Sequence, residues 1–170
     1  MPRDLVQIVD AAMAEAVRKS GGWLACKPGC TPCCFGPFPI SERDAERLRQ
    51  GLRDLERREP DRAARVRERA LQPVTEDEPC PALDGATGLC DLYEARPLTC
   101  RTFGPAVRWG SEAIGACELC YVGATDEQIA RCAVEIDSAL DEPEETTVAF
   151  ALIQKQEAPD GIVPNRRARD

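Results

Sequence analysis

The chain is 170 residues long, the size of one domain with one modest core. Its net charge of -8 argues against phosphate backbones and anionic membranes as partners, since both bind basic surface, and the lack of histidine removes the commonest general base and nitrogen ligand. Aromatic residues make up only 5% of the chain while cysteines number 10, so apolar burial is thin and sulfur is abundant.

Residues 4–19 place Leu5, Ile8, Val9, Ala12, Met13, Ala16 and Val17 at helical spacing, and Gly21 with Gly22 supplies a stop. From Trp23 to Pro39 the periodicity vanishes among prolines, glycines and four cysteines, which predicts a tight irregular loop. Ser41 with Asp44 forms a variant capping box and opens a helix to about Arg58 on a stripe of Ala45, Leu48, Leu52 and Leu55. Pro60 suits the first turn of a third helix through Leu71, whose interleaved Arg and Glu form a solvated face.

Residues 73–124 scatter five cysteines among prolines and glycines, a composition that predicts turns and one or two single-turn helices. Thr125 and Gln128 make a capping box for a helix reaching Leu140, with Ile129, Ala133, Ile136 and Leu140 on its apolar face. Cys132 lies on that face and reads as a small core hydrophobe. Pro143 with Glu144 and Glu145 starts a last helix leading into Val148 to Ile153, a run that also suits a short strand. Residues 1–155 therefore read as one cysteine-cluster domain, and residues 156–170, polar and Arg-rich, as a loosely ordered tail.

No apolar stretch has the length of a signal peptide or a membrane span, so the expected compartment is the cytosol. There a cysteine-dense chain binds metal or does redox chemistry in preference to forming disulfides. Cys26, Cys30, Cys33 and Cys34 lie within one tight segment, close enough for several sulfurs to converge. Adjacent cysteines such as Cys33 and Cys34 usually point apart, which suggests two metals, or one metal and one free thiol. Cys80, Cys90, Cys100 and Cys117 bring the total to eight, the number two closed four-thiolate sites require.

These residues carry a resemblance. The string Cys26-x3-Cys30-x2-Cys33-Cys34, then Cys80-Pro81-Ala82-Leu83, then Gly88 through Cys100 to Arg101-Thr102-Phe103, resembles the YkgJ-like CxxCxxCC cysteine-cluster proteins of bacteria. The resemblance covers roughly residues 26–117 and implies chelation of zinc or iron by Cys26, Cys30, Cys33, Cys34, Cys80, Cys90, Cys100 and Cys117. Cys117 corresponds to the family's later cysteine, whereas Cys120 and Cys132 look like additions. Larger relatives attach a similar domain to a flagellin lysine methylase associated with an iron–sulfur cluster.

Eight thiolates around two divalent ions leave an excess of about four negative charges. Arg96 and Arg101 are therefore candidates to offset that charge and donate hydrogen bonds to the sulfurs, against the alternative that they pair with surface carboxylates. Three other readings compete for the cysteines. They are a disulfide scaffold, a thioredoxin-like Cys-x2-Cys at Cys30/Cys33 or Cys117/Cys120, and the Cys-x3-Cys-x2-Cys loop of radical S-adenosylmethionine enzymes. The last two lack the strand–helix context they require.

The sequence thus predicts a mainly α fold: a small helical domain whose irregular cysteine-rich loops close around one or two metal sites. The cofactor is zinc or iron, including a 4Fe-4S cluster as one iron form. The expected function is a metal-binding protein with a structural or metal-holding role, and the alternative is an iron–sulfur redox protein or a methylation-related metalloenzyme. Neither a nucleic acid nor a membrane is an expected partner, and the metal ion is.

Overall fold

The computed structural model describes residues 5–110, 114–137 and 143–154. The first helix, α1 (Leu5–Ser20), buries Leu5, Val9, Met13 and Ala16, one residue per turn on a single face. Ser20 ends that stripe, with its hydroxyl donating to the Ala16 carbonyl at 2.6 Å.

The main core lies elsewhere, around β1 (Pro39–Ile40), α2 (Glu42–Arg58) and α3 (Pro60–Ala70). Ser41 caps α2 by accepting the Asp44 amide at 3.2 Å, and Pro60 occupies the first turn of α3, where its missing N–H costs nothing. Leu48, Leu52 and Leu55 of α2 meet Ala63 and Val66 of α3. Gly51 permits a close approach, because a Cβ there would lie 2.3 Å from the Ala95 methyl.

A hairpin follows, β2 (Leu83–Asp84) against β3 (Leu89–Cys90), and then the single turn α4 (Leu98–Arg101). Next come β4 (Val107–Trp109) and β5 (Ile114–Gly115), paired antiparallel, then α5 (Asp126–Cys132) and β6 (Val134–Ile136), which runs parallel to β4. Val107, Val134 and Ile136 of this sheet form the second core with α1. The chain continues to β7 (Thr146–Thr147), antiparallel to β1, and α6 (Val148–Ile153), which returns Val148, Ala151 and Leu152 to the main core.

Six helices among the described residues agree with the helical expectation, but the short strands were not anticipated. They pair within 83–90 and 107–115, where turns and one or two single-turn helices were expected, of which α4 is one. The helix expected to reach Leu140 stops at Cys132. Ala133 turns extended, and Val134 and Ile136 are buried on either side of exposed Glu135, a period of two that suits pairing with β4. Ala133 and Ile136 are therefore not on a helix face, and Leu140 lies outside the described residues, as does the tail, residues 156–170. The last helix begins at its cap, Thr147, rather than at Pro143. No described helix is long and apolar enough to cross a membrane.

Candidate metal centre

Backbone hydrogen bonds draw the distant cysteine segments together. The Cys34 carbonyl accepts the Cys80 amide at 2.7 Å, and the Gly36 amide donates to Glu78 at 2.9 Å, so residues 34–36 run along 78–80. The Leu83 amide reaches the Cys80 carbonyl at 2.9 Å, and hairpin register sets Leu83 opposite Cys90. Cys80 and Cys90 thus both lie at the hairpin base, half-buried against the main core.

Helix α3 clamps this hairpin. Asp91, whose side chain is 2% exposed, takes one guanidinium nitrogen of Arg62 and one of Arg69, each at 2.5 Å. Arg69 also donates to the Pro81 carbonyl at 2.8 Å, so one side chain holds both arms. Helix α2 positions Cys100 in a similar way, because the Asp44 carboxylate accepts the Leu98 amide at 3.0 Å and so anchors the start of α4.

Nine of the ten thiols fall into two groups. In the first, the Cys26 and Cys120 sulfurs lie 3.8 Å apart. Burial, the contact with Cys120, and the charges of Cys120, Cys117 and Cys30 push the Cys26 thiol up to about 12. Cys26 is exposed as a residue, but its sulfur is covered by Gly104, where a Cβ would lie 2.7 Å away.

The second group gathers Cys33, Cys34, Cys80, Cys90 and Cys100. The Cys34 thiol is raised by its hydrogen bond to Cys33, by burial, and by the charges of Cys33, Cys80 and Cys90. Burial first, then Cys80 and Cys90, push Cys100 up to about 12, and burial pushes Cys80 up to about 11. Cys33 moves the opposite way, to about 6, because Cys34 hydrogen-bonds to it and the Arg96 guanidinium is near. Cys33 and Cys34 lie side by side in this group, Cys33 exposed and Cys34 half-buried. They share the 3-10 turn Pro32–Cys34, which rotates neighbouring side chains by about a third of a turn instead of half.

The two arginines part company. Arg96 stacks over the Tyr93 ring, 3.6 Å from its centroid, and its charge lowers Cys33 and opposes the rise at Cys90 and Cys100. Arg101 instead grips both carboxylate oxygens of Asp10 at 2.9 Å and donates to the carbonyls of Arg96 and Glu94. It holds the backbone of Arg96 and ties α4 to α1.

Sequence reasoning missed Cys120 and Tyr121. Tyr121 is buried with a φ of 59°, the left-handed region, and its phenol meets the Ser20 hydroxyl at 2.5 Å and the Ala106 amide at 2.8 Å. Its amide donates to Trp23 at 2.9 Å, so Tyr121 ties the start of the first cysteine loop to the turn carrying Cys117 and Cys120. The Cys117-x2-Cys120 spacing was the available signal. Cys132 is buried, and its thiol points to the Lys19 carbonyl at 3.4 Å.

The donor chemistry fits a thiophilic ion. All ten cysteines are free. Zinc–thiolate bonds of about 2.3 Å in a tetrahedron set sulfurs about 3.8 Å apart, the spacing of Cys26 and Cys120. Among the described residues no three donors yet surround a common point, so side-chain rotation is needed to close either group on an ion.

The family model described as "CxxCxxCC: Putative zinc- or iron-chelating domain" matches residues 25–134. Comparison with the curated proteins and comparison with the solved structures both find no match.

Proposed function

The chain belongs to the CxxCxxCC family, and from that premise we propose that it chelates zinc or iron through its two groups of cysteine thiolates, in a structural or metal-holding role. What supports the reading most is the convergence of thiols that are far apart in sequence, Cys26 with Cys120 and Cys34 with Cys80 and Cys90. The ligands are drawn from Cys26, Cys30, Cys117 and Cys120 in the first group and from Cys33, Cys34, Cys80, Cys90 and Cys100 in the second, one sulfur more than two four-thiolate sites take. Arg96 offsets their charge at the mouth of the second group. A bound ion would supply the positive charge that lets so many thiolates coexist. Free thiols at this density suit a reducing cytosol.

Anaerobic purification without a metal-affinity tag, followed by a visible spectrum and assays of zinc, iron and sulfide, tests this. The proposal expects one or two metal equivalents per chain, and iron accompanied by sulfide would identify the iron–sulfur form. Metal-free, folded protein that also fails to take up zinc or iron would overturn it.

A further inference from the structure

We infer that the nine gathered cysteines divide as four, four and one. Cys120 closes a first centre with Cys26, Cys30 and Cys117, Cys34 closes a second with Cys80, Cys90 and Cys100, and Cys33 remains outside as an exchange thiol. The inference rests on the chelation reading and extends it to ligand assignment and metal traffic.

Cys120 is buried, and its sulfur stands one tetrahedron edge from that of Cys26. Its amide donates to the Cys117 carbonyl at 2.9 Å, closing the tight turn that lets two sulfurs of a Cys-x2-Cys segment face one ion. Cys117 and Cys120 also share a small core with Ala106 and Tyr121, separate from the core behind Cys80 and Cys90. The two groups are thus built on different parts of the fold.

The second group holds five sulfurs where a closed tetrahedral site takes four. Cys80 and Cys90 are fixed by the clamped hairpin, and Cys100 by α4. Cys34 is half-buried and bonded through its carbonyl to Cys80. Cys33 is exposed. It can replace a neighbouring sulfur without any oxidant or added reactant: one metal–sulfur bond forms as another breaks, so that the ion keeps four thiolates and no sulfur changes oxidation state. Cys33 is placed at the surface where a competing ligand would meet the centre.

The test uses the full chain loaded with zinc and examined by native mass spectrometry, with iodoacetamide labelling mapped by peptide mass. Two zincs per chain are expected, with the label on Cys33 and on none of the other eight gathered cysteines. Cys33→Ala should keep both zincs and slow their transfer to a chromophoric chelator by about tenfold, the scale on which groups beside a metal site act. Cys120→Ser should carry one zinc. Protection of Cys33, loss of a zinc in Cys33→Ala, or two zincs in Cys120→Ser overturns the inference while leaving chelation intact. If Cys120→Ser does not fold, labelling of Cys120 in the loaded native chain overturns it instead. A native chain that binds no zinc or iron sinks the chelation reading as well.

Discussion

Helix α2 and the segment 21–35 are of similar length and are organised by different forces. α2 buries Ala45, Leu48, Leu52 and Leu55, and each buried leucine contributes about 1.5–3 kcal/mol. Residues 21–35 include four cysteines and not one buried residue, and they are held by turns and by cross-links to 78–80 and 121. The helical part, α2, α3 and α6, has an apolar core of its own, while the cysteine loops have sulfur in its place. In such a chain, folding of the loops and metal binding become one equilibrium.

The sharpest way to break this contrast is to remove a sulfur from the loops. Cys80→Ser or Cys30→Ser is expected to cost on the order of 10 kcal/mol of metal-linked stability. Limited proteolysis should then cut the loops while far-ultraviolet circular dichroism retains the helices. Equal protease resistance in mutant and parent would argue against metal-dependent loops.

Asp91 joins the two regions. Asp91→Ala leaves Arg62 and Arg69 without their shared carboxylate and loosens the hairpin that presents Cys80 and Cys90. A loss of about 2–3 kcal/mol is expected in urea denaturation, together with weaker metal retention. An unchanged midpoint would remove α3 from the account of the site. Tyr121→Phe keeps the ring and deletes the phenol that meets Ser20 and Ala106, so a smaller loss of about 1–2 kcal/mol is expected at the first group.

The pH response sharpens the comparison further. Cys26 and Cys100 are raised to about 12 and Cys80 to about 11, while unfolded thiols titrate near 8.5. Groups raised on folding favour the folded state fully below about pH 8.5, and that contribution is lost as pH rises toward 11–12. Cys33 works oppositely, stabilising above about 8.5 and losing its contribution as pH falls through about 6. Metal-free protein should therefore melt lower at pH 10 than at pH 7.5. Thermal melts in chelator at the two values check this, and a higher melt at pH 10 would contradict it.

How much of this could be read from the sequence follows the same division. Periodicity located α1, α2 and α3, because their stripes of Leu, Val and Ala are what those helices bury. It failed at Ala133 and Ile136, which fit a helical stripe by spacing, but Ala133 ends α5 and Ile136 is claimed by pairing with β4, a contact made across the chain. The spacing of Cys26 to Cys34 marked the site. It could not show which distant sulfurs each of these cysteines lies near, because that depends on the turn at Pro32–Cys34 and on partners far along the chain. For Arg101 the sequence left a sulfur partner and a surface carboxylate both open, and the carboxylate it meets, Asp10, lies 91 residues away on α1.

Amide hydrogen exchange of the metal-loaded chain, before and after chelation, tests the central claim most directly. The account predicts that chelation strips protection from the 23–36 loop, the 78–90 hairpin and the 117–121 turn, while α2, α3 and α6 stay protected. Protection in the loops that survives complete metal removal would contradict it.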